Sequence, residues 1–488
     1  MKSIIWIVSD LYIDNYIYKS MIDIVNNYPE CIINVVVEKK ITDNKTLNSF
    51  IIKKIDKRLY GIKESALQKV DLKNSFSKNI VYIDNINNLS KSQWVILPEY
   101  DILSEEFYCN LSECGILKFV TIYPEIVYNT IHKRNQEIKF KYRKTNENDW
   151  KSISVMTISL EKGVINSLEK YLWATKLSII KFFSSKEYSY TIDTNNYENN
   201  LTSKLNITYY YFKLFLCILK RKIIKGSYNW KIVLKNNNNY HYINQPKNTF
   251  WADPFIAFYN NQLFLFIEEL NFKTNLGEIA CLKINDNYEI IEKKTIFKDN
   301  THYSFPNVFI FDNQYYMIPE NCQKNRLDIY KSTNFPYQWK FERTMIEDCK
   351  LIDAVWIYHN QKYWLFANKI QEYEIDNNDY LYLYHSDDLI NGKWVSHVKN
   401  PIVSLSSNAR NGGKIIEKEG KLFRVSQNCS NSYGANVAIN EIIELSIENY
   451  SEIEIDIINP PKGYIGLHTY NQENGVEVFD ILINEKKK

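Results

Sequence analysis

The sequence predicts a multidomain chain: an α/β domain over 1–190, a linker with an amphipathic helix over 191–227, and an all-β five-bladed propeller over 228–488. Three observations carry this. The first third alternates short apolar strands with helical stretches. A polar segment and an aromatic-rich helix follow. After Gly226 only strand patterns remain, and they repeat.

In the first region, "IIWIV" after Ser3 is a short buried strand, and its five apolar residues are too few for a signal peptide. "YIYKSMIDIVNNY" carries apolar residues at helical spacing. "CIINVVVEK", "NIVYIDNI", "QWVILPEY" and "GILKFVTIY" read as further strands. Continuous apolar strands separated by helices predict a mostly parallel sheet covered on both faces.

The linker begins with "TNNYENNLTSK" and continues as "LNITYYYFKLFLCILKRKIIKG", a ring-rich helix ending in Lys220, Arg221, Lys222 and Lys225. Such a helix either docks between domains or lies on an anionic membrane surface, with contact through residues 205–225. No stretch reaches about 18 uninterrupted apolar residues, so no transmembrane helix is expected.

The repeat is visible in "FIAFYNNQLFLFIEE", "NVFIFDNQYYMIPEN", "AVWIYHNQKYWLFAN" and "GKIIEKEGKLFRVSQN", with a weaker copy in "GLHTYNQENGVEVFDI". Each is an apolar strand, a polar turn and a second strand. The turns fall near residues 260, 312, 359, 419 and 473, a spacing in the range of propeller blades. Roughly 260 residues shared among five blades leave about a dozen per strand for four strands each. Trp251, Trp339, Trp356, Trp364 and Trp394 suit wedges between blades.

Bulk properties narrow the function. The net charge of +3 gives no reason to expect nucleic acid. Aromatics at 15% suit sheets and also suit sugar binding. The eight cysteines contain no CxxC pair and read as reduced thiols of a cytoplasmic protein. No metal and no cofactor are expected.

In a propeller the innermost strands line a central funnel. Aligning "WADPF", "HYSFPNVF", "LIDAVWI", "NARNGGKI" and "GLHTY" presents Asp253, His302 or Ser304, Asp353, Arg410 and His468 to it. A second ring comes from the ends of the second strands: Glu268, Glu269, Glu320 and Gln427, with Asn428 and Tyr433 nearby. Two carboxylates converging on a pocket are the minimum for glycosidic chemistry. Asp253 is the candidate base or nucleophile and Glu320 the candidate acid, since an apolar cleft raises a carboxyl pKa. Asp353 joins them, His468 offers a proton shuttle, and Arg410 offers bidentate bonds to a donor phosphate. Trp251 is a sugar platform or a blade wedge, and Trp251, Glu268, Glu269, His302, Arg410, Gln427 and Tyr433 are the expected substrate-binding set. Each has a structural alternative: Asp253 capping a turn before Pro254, Arg410 neutralising Asp353, and His302 and His468 as satisfied core histidines.

"ADPF", "FPNVF…YYMIPE", "DAVWI…YWLFA", "ARNGGKI" and "FRVSQNCSNSYGANVAINEI" resemble the propeller shared by bacterial surface-glycan proteins and the N-terminal domain of plant glucosamine inositolphosphorylceramide transferases. That propeller is similar to five-bladed glycosidases, whose first-blade aspartate acts at the anomeric carbon, and Asp253 matches that position. The glycosidase pattern of Asp on the second blade and Glu on the third is not kept, since "HYSFP" has no carboxylate and the third blade offers Asp353. The N-terminal region more weakly resembles a Rossmann-like formyltransferase-type domain. Formyl transfer in that family needs an Asn, a His and an Asp around folate. "GILKFVTIYPEI" lacks the His, and His132 is the sole histidine of the region, so folate is not expected and the domain reads as degenerate.

The resemblance implies an enzyme of cell-surface polysaccharide or glycolipid synthesis, a glycosyltransferase-like protein of the capsule kind. Its partners would be a nucleotide- or lipid-linked sugar donor and a glycan acceptor, and its place the cytoplasm or the inner face of the membrane. The alternatives are a glycoside hydrolase and a non-catalytic carbohydrate-binding scaffold.

Overall fold

A computed structural model describes residues 3–37, 56–58, 65–83, 94–97, 114–119, most of 125–184, and 190–192. Of the C-terminal half it describes 226–486 apart from 238, 371–377 and 431. The chain divides into two compact units between Leu214 and Phe215.

The N-terminal unit holds β1 (Ser3–Val8), β2 (Tyr12–Asp14), α1 (Asn15–Asn27), β3 (Ile32–Val37), β4 (Lys69–Asp71), β5 (Ile80–Tyr82), β6 (Trp94–Leu97), β7 (Gly115–Phe119), β8 (Gln136–Lys144), β9 (Lys151–Ile158), α2 (Val164–Ser184) and β10 (Tyr190–Ile192). Eight strands form one sheet in the order β10-β9-β8-β7-β6-β1-β3-β5. The expected Rossmann-like formyltransferase-type domain is not what forms. The unit is strand-rich, and among the described residues strands take 55% and helices 13%. β1 pairs parallel with β3 and β6, but β7 to β10 run antiparallel. The polar–apolar alternation of "QEIKFKYRK" and "KSISVMTI" is the signature of such an antiparallel edge. Among the described residues, α1 and α2 pack on the same face. Met21 and Ile24 from α1 join Ile179 and Phe182 from α2 over Ile4, Trp6, Ile33 and Phe140. A doubly wound domain would place helices on both faces.

The second unit is a five-bladed propeller, as the repeat predicts. It opens with β11 (Gly226–Asn236) and β12 (Asn239–Tyr242). Blade one is β13 (Thr249–Tyr259), β14 (Gln262–Asn271), β15 (Leu276–Ile284) and β16 (Ile290–Phe297). Blade two is β17 (Ser304–Phe311), β18 (Gln314–Glu320), β19 (Leu327–Asn334) and β20 (Gln338–Ile346). Blade three is β21 (Leu351–His359), β22 (Lys362–Lys369), β23 (Leu381–Ser386) and β24 (Val395–Ser396). Blade four is β25 (Arg410–Asn411), β26 (Ile416–Lys418), β27 (Lys421–Asn428), β28 (Asn436–Leu445) and β29 (Tyr450–Ile458). Blade five is built from both ends of the unit: β30 (Tyr470–Glu473) and β31 (Val476–Lys486) pair onward to β11 and β12. The β11–β31 register runs from Gly226↔Lys486 to Asn236↔Val476. This clasp closes the ring and explains the weak fifth repeat, because half of its blade lies near residue 230.

Two kinds of left-handed backbone mark the ends of the inner hairpins. At one end the turns have both central residues at positive φ: Asn260 and Asn261, Asp312 and Asn313, Asn360 and Gln361, Glu419 and Gly420, Asn474 and Gly475. That is the turn whose twist matches a two-residue hairpin. At the other end, the first three inner strands carry a bulge, and its central residue again has positive φ: Asp253 (50°), Phe305 (44°) and Asp353 (51°). Bulges re-aim side chains, and here they do so on three of the inner strands. The equivalent position in blade two is therefore Phe305, neither His302 nor Ser304.

The expected linker helix with its membrane contact at 205–225, and His132, lie outside the described residues, save for single helical positions at Phe212 and Leu216. Among the described helices none is long and apolar enough to cross a membrane.

Candidate functional site

The bulge of blade one sets Asp253 deep in the funnel, 6% exposed. Its Oδ1 accepts from Thr469 Oγ1 at 2.7 Å and lies 3.1 Å from His468 Nε2. Its Oδ2 accepts from the Phe305 N–H at 3.3 Å. Burial pushes this carboxyl up, but the bonds from His468 and Thr469 and the Arg410 charge outweigh it, and the net shift is downward. Asp253 is thus held as an anion.

Behind it stands Asp480 of β31, fully buried. Its Oδ2 accepts from the Asp253 N–H at 3.0 Å, and its Oδ1 from the N–H groups of His468 and Thr469, each at 3.0 Å. His468 Nδ1 lies 2.8 Å from the same Oδ1, but out of line for a hydrogen bond, so this contact is ionic. Burial alone lowers the His468 pKa, but Asp480 and Asp253 reverse this and lift it to about 10.

A second carboxylate pair forms where blades two and three meet. The Asp353 N–H donates to Glu320 Oε2 at 3.3 Å. Arg410 Nε donates to Asp353 Oδ2 at 2.6 Å, and Arg410 Nη1 to Asn378 Oδ1 at 3.0 Å. The guanidinium also lies 5.0 Å from the Tyr433 ring. Burial and then the Asp353 charge push Glu320 well above the ordinary carboxyl value, despite Arg410. Asp353 is raised as well, by burial, with Arg410 opposing.

Glu268 and His302 complete the lining. His302 Nε2 lies 3.1 Å from Glu268 Oε1, and His302 Nδ1 accepts the Gly277 N–H at 3.0 Å. The bond to Glu268 raises the His302 pKa, yet a ring nitrogen that accepts an N–H carries no proton. The hydrogen-bond geometry therefore fixes the tautomer with the proton on Nε2. Burial raises Glu268, with the Asp253 charge adding to it. The Asp253 charge likewise raises Glu320 and Asp353, so the four carboxylates share one electrostatic field.

The structure thus gathers Asp253, Glu268, His302, Glu320, Asp353, Arg410, Tyr433 and His468. Three residues expected to bind substrate are placed elsewhere. Trp251 is 1% exposed in the core beside Ile232 and Val478, and its Nε1 donates to Glu269 Oε2 at 3.0 Å. It is a blade wedge. Glu269 alternates to the opposite face from Glu268, as period two requires, and pairs with Lys293. Gln427 is fully buried and donates to the Asn411 carbonyl at 2.8 Å. Sequence reading missed Asp480, Thr469 and Trp230, whose ring lies 4.0 Å from that of His468. Asp480 left a signal: an acid inside the apolar run "VEVFDILI".

Among the described residues, Asp253, His468 and Asp480 offer ligand atoms within 4.8 Å of one another. An imidazole already stands between these carboxylates and their oxygens already accept N–H and O–H bonds, which suits an ion-paired triad.

The family model for "Glucosamine inositolphosphorylceramide transferase 1, N-terminal" matches residues 236–474, nearly the whole propeller. Glucosamine inositolphosphorylceramide transferase 1 of Oryza sativa subsp. japonica is 36% identical over 215 residues, 43% of this chain and 28% of that protein. The Arabidopsis thaliana protein of that name is 35% identical over 213 residues, with the same coverage. The chain therefore matches little more than a quarter of these relatives' length. These relatives are plant proteins, and the family model falls on the propeller, so neither lends anything to the bacterial capsule or formyltransferase-like expectations. Among solved structures, Zg3597, a family 117 glycoside hydrolase from Zobellia galactanivorans, overlays with a TM-score of 0.36 at 10% identity, over 52% of this chain and 90% of that one. An exo-β-1,3-galactanase from Clostridium thermocellum gives 0.33 at 12% identity, over 46% and 58%. At that overlap neither speaks to substrate or reaction.

Proposed function

We propose that the funnel is a carbohydrate site that transfers a sugar from an activated donor to a glycan or glycolipid acceptor. The observation that carries this reading is the division of charge between two buried carboxyls in one field: Asp253 is driven down and Glu320 up. Carboxyls whose environments push them apart are suited to separate roles. Glu320, kept protonated, donates to the leaving oxygen as the donor's anomeric C–O bond breaks, and the carboxylate so formed takes the proton of the acceptor hydroxyl as the new C–O bond closes. Asp253, kept ionised, faces the positive charge that grows on the anomeric carbon. Its lowered pKa makes it a weak base, so a nucleophilic or charge-stabilising role fits better than proton abstraction. The relatives' name supplies the analogy for the partners, a sugar donor and an inositolphosphorylceramide-like acceptor. Arg410 spends its Nε on Asp353, which leaves Nη2 for a donor phosphate or sugar oxygen. We place the reaction at the cytoplasmic face of a membrane, where an acceptor of this kind would be held.

The test is a panel of nucleotide-linked sugars with vesicles containing inositolphosphorylceramide, read by mass spectrometry. Glu320→Gln is expected to lower kcat by about 10²–10⁴. Transfer that survives both Glu320→Gln and Asp253→Asn unchanged would sink the reading. Free sugar released from a glycan without any donor would favour the hydrolase instead.

A further inference from the structure

Asp480 belongs to no motif of the funnel, yet its carboxylate holds the backbone of Asp253, His468 and Thr469. We propose that Asp480 and His468 form a positioning pair beneath Asp253, in which Asp480 fixes the Asp253 backbone and holds His468 against it as a permanent donor rather than a proton shuttle. This rests on the carbohydrate reading for its part in catalysis, but its geometry does not.

The Asp253 N–H donates to Asp480 Oδ2 at 3.0 Å while Asp253 sits at φ 50°, a conformation that costs a non-glycine residue stability and needs such a tether. The other oxygen of Asp480 gathers the N–H groups of His468 and Thr469. A carboxylate from the closing strand therefore binds blade one to the start of blade five. His468 is boxed in. Trp230 from β11 lies on one side, and the Tyr433 ring, centred 5.3 Å away, on another. Gly434 leaves no room, since a Cβ there would stand 2.5 Å from His468 Cβ.

The titratable groups around the imidazole are Asp253 on β13, Asp480 on β31 and Tyr433 before β28; Glu268 also interacts with the ring through charge, and Arg410 acts on Asp253. Nε2 lies 3.1 Å from Asp253 Oδ1 and Nδ1 lies 2.8 Å from Asp480 Oδ1, so an anion stands beside each ring nitrogen and the doubly protonated, charged ring is the form this setting favours. An imidazolium locked in this way has no lone pair with which to take a proton from substrate. It instead occupies one lone-pair direction of Asp253 Oδ1, and Thr469 occupies another. With the Phe305 N–H on Oδ2, about one of the four lone-pair directions of Asp253 remains for a reacting atom.

The test is a histidine side-chain ¹H–¹⁵N titration of the full chain between about pH 6 and 8.5, spanning the ordinary histidine value. His468 is assigned from the signal missing in His468→Gln. The expected result is an imidazolium signature for His468 throughout this range in the wild type, and a titration inside the range for Asp480→Asn. A His468 that loses a proton near pH 6.5 in the wild type, or one that Asp480→Asn leaves unchanged, overturns the proposal. Should Asp480→Asn not fold, the wild-type titration alone decides. A wild-type imidazolium in a protein without sugar transfer would refute the functional reading and leave this pair standing.

Discussion

The buried Arg424–Glu452 pair of blade four allows a stability prediction that reaches the funnel. The Arg424 side chain is 0% exposed and that of Glu452 6%. The contact is bidentate, with Nε to Oε2 at 2.8 Å and Nη2 to Oε1 at 2.5 Å. Tyr450 OH and Asn408 Nδ2 add to the same carboxylate at 2.5 and 3.3 Å. Glu452→Ala removes four acceptor contacts and strands the guanidinium on the Asn408 carbonyl and Asn411 Oδ1, at 2.5 and 3.3 Å. Leaving one partner of a buried pair alone costs about 3–5 kcal/mol, whereas replacing both by apolar residues is often neutral. Urea unfolding followed by tryptophan fluorescence is the assay. With a slope of about 3 kcal/mol/M, the Glu452→Ala midpoint should fall by about 1–2 M. The double variant Arg424→Met with Glu452→Leu should recover most of that loss. Asn411 Nδ2 donates to the Asp353 carbonyl at 2.8 Å, so the single variant should also disturb the Glu320–Asp353 corner. A loss below about 1 kcal/mol, or a double variant as weak as the single one, would refute the claim that the pair is held by mutual compensation.

Two further outcomes follow from the same contacts. Gly277→Ala would place a Cβ 2.5 Å from the Tyr303 carbonyl oxygen and 2.7 Å from Glu268 Oε1. It should cost about 1–3 kcal/mol by overpacking and part Glu268 from His302, checked by the melting temperature and the His302 side-chain signal. For pH, His468 is raised in the folded state from 6.5 to about 10, so its contribution is full below pH 6.5 and fades as pH climbs toward 10. The melting temperature should therefore fall more steeply over that interval in the wild type than in His468→Gln. Parallel slopes for the two proteins would contradict the shift.

What was legible in the sequence was local. Eight of the ten central residues of the five hairpin turns are Asn, Asp or Gly, the exceptions being Gln361 and Glu419, because positive φ at both positions favours those three, and the spacing of the turns exposed the blades. Asp253 and Asp353 were legible because they stand in matching frames, "ADPF" and "IDAV". What failed was non-local. Alternation along "NTFWADPF" does not reveal the bulge that turns Trp251 into the core, and a side chain's face depends on a one-residue register. The clasp was hidden because β11 and β31 lie about 250 residues apart in sequence. In the N-terminal unit the parallel strands were legible as apolar runs. The antiparallel edge β8–β10 was passed over, although its alternation is as clear as that of any hairpin in the propeller.

The unequal fates of Asp253 and Glu320 come from ring order rather than from depth. Asp253 meets the closing blade, where Thr469 and His468 supply an O–H and an N–H and Asp480 holds both in place. Glu320 meets blade three, where the Arg410 cation already spends its Nε on Asp353 at 2.6 Å. Burial penalises the charged form of both, so the sign of each shift is set by whether donors or anions surround it. The clasp that closes the propeller thus also supplies the groups that keep one carboxylate ionised. A circular permutant that moved the chain ends out of blade five, keeping Asp480 and His468 in place, should preserve the division of charge. A substitution at Thr469 should narrow it, because Thr469→Val removes the shortest bond that Asp253 Oδ1 accepts.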